Sequence, residues 1–122
     1  MERVTACICM TKDIGVGGNL FGGVMLAWMD EAAGIYAIGQ TRMRMVTLRY
    51  TEILFKRPVR EGDLVEFYAG NAQRGRTSFR FELEGRVHGQ VVFQTHATFV
   101  AVDESGRPTP IRWDGAPPEP AP

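Results

Sequence analysis

A glycine-rich stretch, Gly17-Gly18-Asn19-Leu20-Phe21-Gly22-Gly23, runs directly into an apolar segment, Val24 to Ile38, that carries two acids, Asp30 and Glu31. Glycines let a ligand approach bare backbone. The first N–H groups of a helix have no acceptor within it, and they favour negative charge developing in front of them. A carboxylate set among Leu26, Trp28, Met29, Ala32 and Ala33 is costly unless it is solvated, paired or used. A helix end that polarises a carbonyl, together with an isolated acid, is equipment for hydrolysis or acyl transfer.

Other candidates are weaker. Cys7 and Cys9 lie two apart in a strand-like stretch, on one face and at a spacing unsuited to a disulfide. With only His88 and His96 far along the chain, the pair reads as buried, reduced thiols and not as a metal site. The two histidines read as structural, His88 in a turn and His96 in a strand. Gly15, Gly17 and Gly18 suggest a dinucleotide loop, but Leu20 stands where its third glycine would be and no βαβ unit follows. Glu31 sits about 100° around a helix from Asp30 and is expected to serve structure or an interface, as partner to an arginine.

The elements that must position these residues follow from periodicity. Arg3 to Met10 predicts a strand, and Leu20 to about Gly39 has the length and composition of a helix. Its apolar residues surround most of the cylinder, as in a fully buried helix. Gly34 inside it calls for close packing against another backbone. Met45 to Phe55, Leu64 to Gly70, the alternating run at Phe79, Phe81 and Leu83, and Val91 to Val102 predict four more strands. Short turns between them imply antiparallel neighbours. One helix on one antiparallel sheet is an α+β, two-layer domain. A single sheet covers only one side of such a helix, so a second copy of the chain is the simplest cover for the rest.

With 122 residues the chain is one domain. We place that domain at residues 1–111, with a proline-rich tail, 112–122, expected to be disordered or extended. Its formal net charge of zero gives no global pull toward nucleic acid or an anionic membrane. No apolar run approaches membrane-spanning length, and the start lacks the pattern of a signal peptide, so the cytoplasm is the expected location.

Four groups of residues carry a resemblance: Gly18 to Gly23 with Trp28-Met29-Asp30-Glu31-Ala32-Ala33-Gly34; Phe55-Lys56-Arg57-Pro58-Val59 with Gly62-Asp63; Gly75-Arg76-Thr77-Ser78; and Thr98 to Asp103. In order and spacing, over roughly residues 3 to 111, the chain resembles the hotdog-fold acyl-CoA thioesterases, most closely the YciA-like acyl-CoA hydrolases. The resemblance implies a five-stranded antiparallel sheet wrapped around one long helix, with no separate cofactor or metal. It implies a homodimer as the smallest active unit, and a hexamer built as a trimer of dimers.

By the same resemblance Asp30 is the catalytic carboxylate, as general base or as nucleophile. Asn19 helps hold the water or the substrate carbonyl, and the Gly22 N–H is the oxyanion donor. Gly23, Arg57, Arg74, Gly75, Arg76, Thr77 and Ser78 are expected along the CoA moiety, with Arg60 a further candidate for its phosphates. Phe21 stands where some hotdog relatives carry histidine. Gly22 and Asp30 are eight residues apart, roughly 12 Å along a helix, too far for one carbonyl to meet both. Two helices packed antiparallel about a two-fold would bring Gly22 of one chain beside Asp30 of the other. Rival readings are a hotdog hydratase acting on enoyl or hydroxyacyl thioesters, which would want a histidine beside the glycine loop, and a non-catalytic acyl-CoA-binding module.

Overall fold

The computed structural model describes residues 1–113. Strand β1 spans Glu2–Ile8 and helix α1 spans Gly22–Thr41. Four strands follow: β2 Met45–Phe55, β3 Leu64–Arg74, β4 Ser78–Val87 and β5 Gln90–Ala101. All pair antiparallel in one sheet of order β1-β3-β4-β5-β2. The α+β hotdog architecture expected from the sequence is present, with α1 laid against the sheet.

One expectation is corrected. The short segment between β2 and β3 does not make them neighbours: β2 pairs with β5 at one edge, while β3 lies beyond β4 and pairs with β1. The reason is reach. Crossing three inter-strand gaps takes about 14 Å, and the eight residues between Phe55 and Leu64 can span about 26 Å when extended. The crossover is tied down along its length. Lys56 and Arg57 donate N–H bonds to the Val92 carbonyl, the Val59 carbonyl accepts from Leu20, and Gly62 and Asp63 exchange bonds with Cys9. β3 also runs four residues past its expected end, bending at an irregularity between Gly70 and Gln73 where Asn71 takes a positive φ of 51°.

Helix α1 buries one face: Met25, Met29, Ala32, Ala33, Tyr36 and Ala37. This i, i+4, i+7, i+8 spacing is the stripe a sheet can cover. Opposite it lie Phe67, Phe79, Phe81, Leu83 and Phe93, all closed to solvent. The Tyr36 ring stacks on Phe79 and meets Phe81 edge-on, with centroids 5.8 and 4.8 Å away. The rest of the helix circumference stays open in the single protomer, with Leu26 and Ile35 exposed on opposite flanks and Ile38 exposed on the back. Gly34 has open space where its side chain would be, so no backbone among the described residues approaches it. The helix stops where Thr41 Oγ1 donates back to the Ala37 carbonyl and Arg42 turns into the left-handed region.

Ile111 and Trp113 are docked. The Ile111 N–H donates to the Arg76 carbonyl, and the Trp113 indole donates to the Gly75 carbonyl. The remainder of the expected proline-rich tail, 114–122, lies outside the described residues.

Candidate active site

The glycine stretch folds as a tight loop that delivers the chain to the helix. Gly15 N–H donates to the Asn19 carbonyl, Gly18 donates to the Gly15 carbonyl, and Gly18 has a φ of 84°, which favours glycine. Asp13 anchors the base of the loop: its carboxylate accepts the Met10 N–H and its carbonyl accepts the Phe21 N–H. Gly22 and Gly23 open α1, and their N–H groups donate to no backbone acceptor among the described residues. The first turn of α1 holds no acid to occupy them. Gly23 has a packing reason as well, since a Cβ there would lie 2.7 Å from the Phe21 ring.

A cavity of about 330 Å³ opens in front of this helix end. Asn19 and Gly22 line it together with Met25, Phe55, Arg57 and Val59. Three of the sequence-chosen residues, Asn19, Gly22 and Arg57, are therefore brought to one place. Asp30 does not line this cavity. It lies two turns further along α1, exposed, and its Oδ1 accepts hydrogen bonds from Thr47 Oγ1 at 2.8 Å and from the Tyr50 hydroxyl at 2.5 Å. Burial first, and then the Asp30 carboxylate it donates to, push the Tyr50 hydroxyl far above the usual phenol range. Tyr50 therefore stays a donor.

Thr47 and Tyr50 were missed in the sequence. They are three apart in β2, which in a regular strand puts them on opposite faces. The pairing with β5 slips between Thr47 and Arg49, so that Thr47 opposes Phe99 and Tyr50 opposes Ala97. The extra residue, Leu48, brings both hydroxyls to the helix-facing side, where the Tyr50 ring meets Phe99 edge-on. Nothing in Met45–Phe55, which lacks glycine and proline, marks that bulge.

The arginines separate into two groups. Arg57 and Arg60 share a second cavity with Val87 and His88, beside the β4–β5 turn. Arg74 ends β3 and Arg76 lies in the β3–β4 turn, at the opposite end of the sheet. In that turn Gly75 N–H donates to the Ser78 carbonyl, and the Thr77 carbonyl accepts from Ala101. The Arg74 guanidinium lies over the Trp113 ring, 4.8 Å from its centroid. Strand β3 separates the two groups by roughly 30 Å.

His96 pairs with Glu82 at 3.2 Å, and neither histidine lines the cavity at Gly22. Glu31 makes none of the ion pairs among the described residues, which join Arg3 to Glu66, Arg86 to Glu84 and His96 to Glu82. The expected arginine partner for Glu31 is absent from the described part of the protomer. Cys7 and Cys9 are free thiols, both pushed up chiefly by burial. No group of three or more His, Cys, Asp or Glu among the described residues could hold a metal ion, and no helix there is long and apolar enough to cross a membrane.

Comparison with known proteins places this arrangement. The family model of the thioesterase superfamily matches residues 17–100. The acyl-CoA thioester hydrolase YciA of Salmonella typhimurium is 36% identical over an alignment that covers 93% of this chain and 92% of that protein. Among solved structures, a hexameric thioesterase of Yersinia pestis superposes with a TM-score of 0.86 at 30% identity, covering 91% of this chain and 95% of that one. A hexameric hotdog-fold thioesterase of Campylobacter jejuni superposes with a TM-score of 0.84 at 29% identity, covering 93% and 92%. A sheet of this order on a helix that begins at an open pair of glycine amides, with these matches along nearly its whole length, identifies the chain as a member of the thioesterase superfamily and a homologue of the YciA acyl-CoA thioester hydrolases.

Proposed function

We propose that this protein hydrolyses acyl-CoA thioesters to the free acid and CoA, at sites shared between two copies of the chain. The observation that carries this reading is the division of equipment along α1. The cavity at its N-terminus holds Asn19 and the Gly22 amide, which has no acceptor among the described residues, and Asp30 stands outside it. A two-fold pairing of helices brings the cavity of one subunit to the carboxylate of the other.

In that shared site the thioester carbonyl points its oxygen at the Gly22 N–H, where negative charge develops as the carbonyl is attacked. Asn19 holds the water or the carbonyl in register. Asp30 acts in one of two ways. As general base it takes a proton from the attacking water. As nucleophile it forms a mixed anhydride that water then opens. Both routes break the carbon–sulfur bond and release the CoA thiol. Arg57 with Arg60, and Arg76 with the Gly75–Ser78 turn, supply the charge and donors for the phosphates and pantetheine arm. Relatives described as hexameric favour a trimer of such dimers, and two free thiols suit the cytoplasm.

Thiol release from a panel of acyl-CoAs, acetyl to palmitoyl, tests the reading on the native chain and on Asp30→Asn. The native protein should release CoA and the variant should fall by at least about a hundredfold. Hydrolysis by Asp30→Asn within a few-fold of native would remove Asp30 from the chemistry. Binding of CoA esters without hydrolysis would favour a regulatory module.

A further inference from the structure

We infer that Tyr50 is a positioning residue for the Asp30 carboxylate, fixing which of its two oxygens meets the substrate. This rests on the reading of Asp30 given above. The Tyr50 and Thr47 hydroxyls both donate to the same oxygen, Oδ1, at 2.5 and 2.8 Å. Oδ2 accepts no hydrogen bond from the described residues. One donor alone would let the carboxylate swing about its terminal bond, whose rotation is soft. Two donors from separate points of β2 fix the plane of the group, and the oxygen they leave bare is the one free to take a proton or to attack.

The arrangement is built in three places. Bulging at Leu48 turns Thr47 and Tyr50 to one face. Phe99 holds the Tyr50 ring edge-on. A phenol that keeps its proton acts as a donor throughout and never competes with Asp30 as an acid or base. Tyr50 touches the carboxylate and lies outside the Gly22 cavity, so its effect should appear in turnover and not in substrate affinity.

Steady-state hydrolysis of one acyl-CoA by the native protein, Tyr50→Phe and Asp30→Asn, with melting temperatures alongside, tests this. Tyr50→Phe deletes the hydroxyl and keeps the ring against Phe99. It should lower kcat about tenfold, with KM within about twofold and little change in melting temperature. Native kcat in Tyr50→Phe with an inactive Asp30→Asn would overturn the positioning role and leave the hydrolytic reading standing. A kcat loss matched by a large fall in melting temperature would assign Tyr50 to packing, and overturn the proposal equally. Activity in Asp30→Asn would remove both ideas.

Discussion

Arg76 and Arg74 sit on the same turn but in different circumstances. The Arg74 guanidinium is spread over Trp113, whereas Arg76 is exposed and joins none of the ion pairs among the described residues. A phosphate contact is made in ground state and transition state alike, so its loss appears as weaker binding. Arg76→Ala should therefore raise KM for acyl-CoA about five- to tenfold and lower kcat less than twofold, as steady-state kinetics will show. An unchanged KM would remove Arg76 from the CoA surface. The glycine entry at Gly22 and the acids Asp30 and Glu31 inside an apolar helix are local signals that the sequence shows directly, whereas preferring Asp30 over Glu31 and adding Asn19 rested on the family resemblance. Thr47 and Tyr50 were not legible, because their meeting at Asp30 depends on a bulge that leaves no mark in the residues that form it.

The β3–β4 turn shows how an element depends on one residue. A Cβ on Gly75 would lie 2.6 Å from Ser78 Oγ and 2.8 Å from the Ser78 carbonyl oxygen. The second of these is backbone and cannot step aside without opening the hairpin. Gly75→Ala should cost about 1–3 kcal/mol in chemical denaturation. It should also raise KM, because Arg76, Thr77 and Ser78 move with the turn. Stability within a few tenths of a kcal/mol of native would mean that the turn relaxes freely. The helix and all five strands could be placed from periodicity, since 3.6- and 2-residue patterns are local. The sheet order could not: whether eight residues turn back or cross two strands is decided by hydrogen bonds to Val92, Leu20 and Cys9, distant in sequence.

At the scale of the whole molecule, the single protomer leaves its edge strand β2 open, with Val46, Leu48, Leu54 and Phe55 exposed, and leaves Leu26, Ile35 and Ile38 of α1 exposed as well. A long apolar edge is a liability in solution unless something pairs with it. The pairing proposed above would cover it with a second copy while placing the Gly22 end of one helix toward Asp30 of its partner. The apolar circumference of α1 in the sequence raised the expectation of such a cover; which residues would meet across it is a matter of three-dimensional contact that no period encodes. The most direct test of a shared site is subunit complementation. Asp30→Asn and Asn19→Ala chains, each weakly active or inactive alone, are co-expressed in equal amounts and assayed for thiol release. In mixed dimers one of the two sites then draws Asn19 and Gly22 from one chain and Asp30 from the other, all native. A shared site gives recovery of about a quarter of native activity, from half the dimers being mixed and half their sites intact. A mixture no more active than its two parents would contradict it.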